Sequence, residues 1–442
     1  MGGILTSQIL KTKQKIVGSA GVEYKVEDFL GSGGQGEVYK VSSGGKDWAL
    51  KWYYPHTATE AQKKALESLI SKGAPTEKFL WPLTLITDPK TPGFGYIMPL
   101  RPKNFKNIVD LMKRRIEPSF YSIATAGFQL SDSYYHLHTL GLSYRDISFG
   151  NVFFDPQNGE VLICDNDNVT VDKTEKSAIY GTPRFMAPEI VRGDATPSSD
   201  TDRFSLAVLL FYMFFISHPL EGKKESAIHA LDAPAMKKLY GDEPVFIFDP
   251  NDPSNRPDPN FHQNALIYWD IYPQFFKVLF ERVFTNGIKD PENGRVRESE
   301  WRSEIIKLRN SIVFCQKCGC ENFYDPAEIK RTGAAPKCWN CKADVMLPPR
   351  IKIGNLIVML NHNTKLYPYH LDPITYDFSK PIAEITQHPA NPQLWGLKNI
   401  SDRGWQVTKP DGTKMEVPHG KNIALGNGII VNFGSIEGEI RV

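Results

Sequence analysis

The amino-acid sequence predicts a multidomain α+β protein: a two-lobed unit, then a four-cysteine ribbon, then a small all-β sandwich. Three observations carry this. Residues 24–53 alternate apolar and polar positions around a glycine cluster, whereas 104–313 turn to helical periodicity. Five of the six cysteines fall between Cys315 and Cys341. Short alternating runs separated by turn residues fill 349–442. At 442 residues the chain exceeds one core of roughly 100–200 residues. The boundaries read as an N-terminal extension at 1–21, a β-rich lobe at 22–100, a helical lobe at 101–313, the ribbon at 314–348 and the β-sandwich at 349–442.

In the first lobe, YKVEDFLGSGGQGEVYKVSSGGKDWALKWY (24–53) reads as strand, glycine loop, strand, SSGG turn, strand. A helix follows at 58–71, with an apolar stripe through Ala61, Ala65 and Leu69, and FGYIMPL (94–100) is another strand. In the second lobe, the strongest helices are 120–140 and the apolar run FSLAVLLFYMFFI (204–216). That run is shorter than the ~20 residues a bilayer requires, so it predicts a buried core helix and no membrane span. Residues 241–261, dense in Pro, Asp and Asn, predict an extended surface loop. In the tail, NLIVML, GWQVTK, TKMEVP and IIVNFG read as strands and KPDGTK as a hairpin turn.

Composition narrows the function classes. Hydrophobic residues at 41% and charged residues at 23% are those of a soluble globular protein, and a formal net charge of +2 argues against a nucleic-acid partner. The opening MGGILT fits a myristoylation pattern, but no polybasic second signal sits beside it and no secretory leader is present; an ordinary frayed terminus is the simpler reading. Clustered cysteines suit a reducing cytoplasm holding a metal better than a disulfide framework.

Several motifs carry chemistry. Gly31, Gly33 and Gly36 in GSGGQGEV form G-x-G-x-x-G between two strands, which suits a flap whose amides cover phosphates. Lys51, in WALK, would offer a cation to a nucleotide's phosphates, with Glu67 or, alternatively, Glu60 of the next helix to fix it. In YRDISFGN, Asp146 and Asn151 lie five apart, so one loop can present a carboxylate to a hydroxyl and an amide oxygen to Mg²⁺. CDNDN (164–168), GTPRFMAPE (181–189) and TDRFSLA (201–207) follow in order.

In this order the motifs resemble the protein-kinase family across roughly residues 22–313. The resemblance implies a bilobal protein-kinase fold that uses ATP and Mg²⁺, with Lys51 anchoring nucleotide, Asp146 as catalytic base and Asn151 on a metal. Adenine would lie between Val38 and Ala49 above and Phe153 below, with Met98 at the back and Pro99–Leu100 as hinge. Glu189 would pair with Arg295, Asp202 would brace the catalytic loop, and Thr182 would sit beside Asp146. Counting on from Asn151 through VLIC brings Asp165 to the family's DFG aspartate, the Mg²⁺ ligand, with Asp167 the alternative. DND here replaces DFG, which predicts a loop that flips less readily than usual. Tyr144 stands where the family usually has His, and Ser148 where Ser/Thr kinases place a lysine that neutralises the transferred phosphoryl group. Thr170, Thr174, Ser177 and Tyr180 offer hydroxyls for phosphorylation, with Arg145 to receive the phosphate.

The C-x₂-C pairs at Cys315/Cys318 and Cys338/Cys341 match a zinc-ribbon spacing: four thiolates around a structural Zn²⁺, iron being the alternative and Cys320 a bystander or alternative ligand. GLKNISDRGWQV and the segment to 434 resemble the second half of a forkhead-associated (FHA) sandwich, while the first half lacks that family's phosphate-holding pattern. With HPLEGK (218–223) and the 240–257 insertion, the whole resembles bacterial kinases that accompany a von Willebrand A-domain protein and a PP2C-type phosphatase. The expected function is Ser/Thr protein phosphorylation. The alternatives are a pseudokinase scaffold, motivated by Ser148 and DND, and a small-molecule kinase, against which GTPRFMAPE and Asp202 weigh.

Overall fold

A computed structural model describes residues 8–19, 21–173, 181–334 and 336–442. The chain divides into two compact units, Met1–Tyr268 with Val278–Arg302, and Trp269–Lys277 with Ser303–Val442. Among the described residues no helix is long and apolar enough to cross a membrane.

The first unit begins with strands β1 (Lys15–Gly18), β2 (Glu23–Ser32), β3 (Gly36–Ser43) and β4 (Lys46–Tyr53), helix α1 (Glu60–Lys72), and strands β5 (Thr84–Asp88) and β6 (Thr91–Pro99). The strands close into a barrel in the order β1-β2-β3-β4-β6-β5. Strand β1 lies within residues 1–21, expected as an N-terminal extension: it pairs with β2 and β5, and Leu10 and Ile16 join Val26, Tyr39, Val41, Leu50 and Trp52 in the barrel core. A four-residue strand with adjacent Ile16 and Val17, one buried and one exposed, offers too little alternation to reveal itself. Helix α1 buries Leu66 and Leu69, a stripe rotated from the expected one, with Ala61 exposed.

The helical lobe is organised by Phe120–Thr139 and Ser199–Phe215. The second starts before the apolar run because Ser198 and Thr201 form a capping box, and nearly all of it is buried. The surface loop expected at 241–261 is corrected. Phe246 and Ile247 are fully buried, Phe246 packs on Phe211 and Phe284, and the Asn255 amide donates to the carbonyls of Leu220 (2.9 Å) and Val245 (2.7 Å). The VFIF tetrad outweighs its polar flanks because burying the Phe246 ring and Ile247 gains more than surrounding turn residues oppose.

In the second unit, strands Ile312–Phe314 and Glu321–Phe323 pair beneath the cysteine knuckles. The tail forms a six-stranded and a four-stranded antiparallel sheet. Ile351, Val358, Val407, Val431 and Ile440 from one and Ala383, Ile385, Leu397 and Ile423 from the other share a single core. Lys409–Thr413 makes the expected hairpin turn, with Gly412 at φ 81°.

In the glycine hairpin, a Cβ on Gly36 would stand 2.1 Å from the Trp52 carbonyl oxygen, whereas one on Gly31 would meet no atom within 4 Å. Gly36→Ala is therefore expected to destabilise the protein by about 1–3 kcal/mol in denaturant titration, while Gly31→Ala leaves stability unchanged within error.

Candidate functional site

Val38, Ala49, Met98 and Leu100 meet in one apolar cluster with Tyr53, Leu66, Phe94 and Tyr96. The ladder sets this up: Ala49 is opposite Met98 and Lys51 opposite both Val38 and Tyr96. Phe153, half-buried on the short strand Val152–Phe154, lies in the other lobe, and the Arg101 guanidinium stacks 4.0 Å from its ring. Gly33 N donates to Gly36 O at 2.9 Å and closes the hairpin tightly. Open space at Gly31 and Gly33 leaves backbone able to approach a ligand closely.

Lys51 is almost fully buried. Its ammonium donates to Asp165 Oδ1 (2.9 Å), to Asp167 Oδ2 and Oδ1 (2.9 and 3.1 Å) and to Gln35 Oε1 of the glycine hairpin (3.0 Å). The helix carboxylate expected to fix it does not: Glu67 is exposed, one position beyond the buried Leu66, and Glu60 is exposed too. Gln62 instead faces the site, donating to the Tyr53 hydroxyl at 3.1 Å and to the Asp167 carbonyl at 3.4 Å.

Asp165 has a left-handed backbone (φ 53°), and Asn166–Asn168 make one turn of 3₁₀ helix. The Asp165 side chain is 42% exposed while that of Asp167 is 0% exposed, so the two carboxylates face different surroundings. Asn166, which stands for the family's phenylalanine, is buried and donates to Ile163 O at 2.9 Å. Desolvation favours neutral Lys51, but Asp167 and Asp165 override it and hold its pKa above the ordinary lysine value. Burial likewise opposes the Asp167 charge, yet Lys51 and the Tyr53 hydroxyl keep its pKa below the usual carboxylate range. Asp165 moves up, through desolvation in the cleft and the neighbouring negative charge of Asp167, against the pull of Lys51.

Asp146 is held from two sides. Asn151 Nδ2 donates to its carbonyl (2.8 Å) and to Oδ2 (3.1 Å), and Thr182 Oγ1 donates to Oδ1 (2.8 Å). Beneath it, Asp202 accepts from the backbone amides of Tyr144 (2.6 Å) and Arg145 (2.8 Å). Arg295 donates to both Glu189 oxygens at 2.7 and 2.8 Å. The Tyr144 hydroxyl donates to the Cys164 carbonyl, tying the segment before Asp146 to the strand that leads into Asp165. Ser148 is buried, and among the described residues no lysine or arginine lies within ion-pair distance of Asp146. Thr174, Ser177 and Tyr180 lie outside the described residues, as does MGGILT; Thr170 is in a two-residue strand paired with Leu142–Ser143.

His138 was not legible as a site residue. Buried near the end of helix Phe120–Thr139, it bridges Asp202 (3.1 Å) and Glu298 (2.6 Å). Burial pushes its pKa down, but the two carboxylates outweigh this and raise it to about 9. A histidine at the end of a mostly buried helix gives no sequence sign of partners 64 and 160 positions away.

The donor sets suit the groups the motifs imply. Mg²⁺ takes oxygen ligands; Asp165 offers a half-exposed carboxylate, and Asn151, whose nitrogen is spent on Asp146, has its amide oxygen left as acceptor. Sulfur atoms of Cys315, Cys318, Cys338 and Cys341 all lie within 4.8 Å of one another, with Cys315–Cys341 and Cys318–Cys338 each at 3.6 Å. A tetrahedron with ~2.3 Å Zn–S bonds has edges of about 3.8 Å, so the cluster could bind zinc. Cys320 is outside that group, its sulfur 3.3 Å from Asn340 Nδ2.

Residues 24–266, more than half of the chain, match the protein kinase domain family, and the chain belongs to it. It is similar to the DNA damage-responsive serine/threonine-protein kinase RqkA of Deinococcus radiodurans, 25% identical over 213 residues, 46% of this chain and 31% of the relative. The cell cycle serine/threonine-protein kinase CDC5/MSD2 of Saccharomyces cerevisiae is 24% identical over 234 residues, 50% of this chain and 32% of the relative. Ribosomal protein S6 kinase alpha-4 of Mus musculus is 35% identical over 97 residues, 21% of this chain and 12% of the relative. The chain thus spans about a third or less of the length of these relatives. Membership of the family implies ATP with Mg²⁺.

Two outcomes follow. His138 has a folded pKa above its ordinary 6.5, so its stabilisation is complete below about pH 6.5 and is lost as pH rises through about 9. Unfolding free energy measured across that window should fall by an amount on the order of 3 kcal/mol, and His138→Gln should flatten the decline. Elemental analysis should find one zinc per chain, reduced by Cys338→Ser and unchanged by Cys320→Ser.

Proposed function

We propose that the chain is an ATP- and Mg²⁺-dependent protein kinase that phosphorylates serine or threonine hydroxyls of a protein partner. The observation that carries this reading is Asp146, held between Asn151 Nδ2 at 3.1 Å and Thr182 Oγ1 at 2.8 Å in the lobe that also supplies Asp165 to buried Lys51. Lys51 orients the nucleotide phosphates. Asp146 aligns the acceptor hydroxyl and takes its proton as the oxygen–phosphorus bond forms and the bond to the ADP oxygen breaks. Asn151 and Asp165 would hold Mg²⁺, which supplies charge neutralisation on the phosphates. Val38, Ala49, Met98, Leu100 and Phe153 provide the apolar walls for adenine, under the hairpin of Gly31, Gly33 and Gly36.

The four-cysteine segment is read as a structural zinc ribbon, since four thiolates leave no open ligand position for chemistry. The tail is read as a degenerate FHA-like sandwich that binds a protein partner or the kinase itself. Asn399 in its GLKNIS segment is buried and serves the local turn, donating to Arg403 O (2.7 Å) and Val417 O (2.8 Å). A von Willebrand A-domain protein and a PP2C-type phosphatase are proposed as partners on sequence resemblance alone, and a cytoplasmic location on the clustered cysteines.

A pseudokinase is the second reading, favoured by buried Ser148 in place of the catalytic-loop lysine. Incubation with labelled ATP and Mg²⁺, alone and with a generic protein acceptor, separates the two. The kinase reading expects incorporation that Asp146→Asn lowers by at least about 10²-fold. ATP binding with no incorporation above that variant would establish the scaffold instead.

A further inference from the structure

Lys51 carries more negative charge around it than it needs: one ammonium faces the two carboxylates of Asp165 and Asp167. The carboxylates differ in freedom. Asp165 is 42% exposed at the cleft, whereas Asp167 is 0% exposed and offers both oxygens to the lysine. Lys51 and Tyr53 are two apart on β4 and so share a face of the strand; the Tyr53 hydroxyl also donates to Asp167. Helix α1 contributes only an amide, through Gln62 to Tyr53 and to the Asp167 backbone.

We infer that Asp167 is the positioning residue for Lys51, and that the second aspartate of DND replaces the helix carboxylate on which the lysine would otherwise depend. The inference rests on the reading of Lys51 as nucleotide anchor. An ammonium has three N–H donors, here directed to Asp167, Asp165 and Gln35. Asp165 can turn to a metal and Gln35 can give its place to a phosphate oxygen, because one is half-exposed and the other sits in the glycine hairpin. Asp167 cannot leave without stripping a buried cation of its fully buried counter-charge. The lysine therefore keeps its aim wherever helix α1 stands, and the remaining carboxylate leaves the site with a surplus negative charge that favours a divalent cation.

The test uses the full chain with isotope-labelled lysine, following the Lys51 ammonium by NMR against pH, with Lys51→Arg for assignment, alongside steady-state kinetics. Asp167→Asn, nearly isosteric, should make Lys51 deprotonate at lower pH and raise the KM for ATP at least about tenfold, with the acceptor KM unchanged. Adding Gln62→Glu should recover part of both effects, since that side chain already reaches the Tyr53 hydroxyl. Tyr53→Phe should shift the titration the same way by less, and it decides the matter if Asp167→Asn does not fold. Glu67→Gln and Glu60→Gln should change nothing. A wild-type titration curve in Asp167→Asn, or in Tyr53→Phe should Asp167→Asn not fold, or the same losses from Glu67→Gln, would overturn the inference. The NMR readout needs no turnover, so a wild-type protein that neither binds nor transfers from ATP would refute the kinase reading alone.

Discussion

A buried ammonium joins the two lobes of the first unit. Lys51 leaves strand β4 and ends among carboxylates presented by the loop after Val161–Ile163, so strand and loop are held to one another by charge. Such a pair is tolerable only when every donor is satisfied, and here the Tyr53 hydroxyl and the Gln35 and Gln62 amides complete the shell. This accounts for DND. Asn166 bonds back to Ile163 O where a phenylalanine would pack, and Asp167 turns inward as counter-charge where a glycine would give freedom.

The second lobe solves a parallel problem with a different centre. Asp202, on the buried helix Ser199–Phe215, orients the loop before Asp146 through two backbone amides, and His138 with Glu298 and Arg203 keeps that carboxylate in place from below. Arg295 and Glu189 fix the end of the GTPRFMAPE segment in the same way. The loop before Asp146 thus rests on buried polar contacts of high sequence separation, while the apolar core of aromatic rings around Phe211 and Phe280 supplies the surrounding rigidity.

What could be read from the sequence was whatever depends on local pattern. Gly31, Gly33 and Gly36, the long helices, the strand flanking Lys51 and the cysteine knuckles all announce themselves by spacing. What escaped depends on which face a residue presents. Glu67, expected from the family pattern as the partner of Lys51, faces outward because helix α1 buries Leu66 and Leu69, and the same orientation brings Gln62 in. Strand β1 is too short for its alternation to register, and the VFIF tetrad is masked by the prolines and aspartates around it. His138 depends on carboxylates distant in sequence. Asp167, the alternative metal ligand by sequence, is buried with both oxygens on the lysine, a placement that spacing alone does not reveal.

The central claim is a division of labour within DND, Asp165 for metal and Asp167 for Lys51. A crystal structure with Mg²⁺ and a non-hydrolysable ATP analogue tests it most directly. Asp165 and Asn151 are expected on the metal, Lys51 on the phosphates, and the contact between Lys51 and Asp167 kept at 2.9 Å. Asp167 on the metal, or Lys51 paired with Glu67 of helix α1, would contradict it.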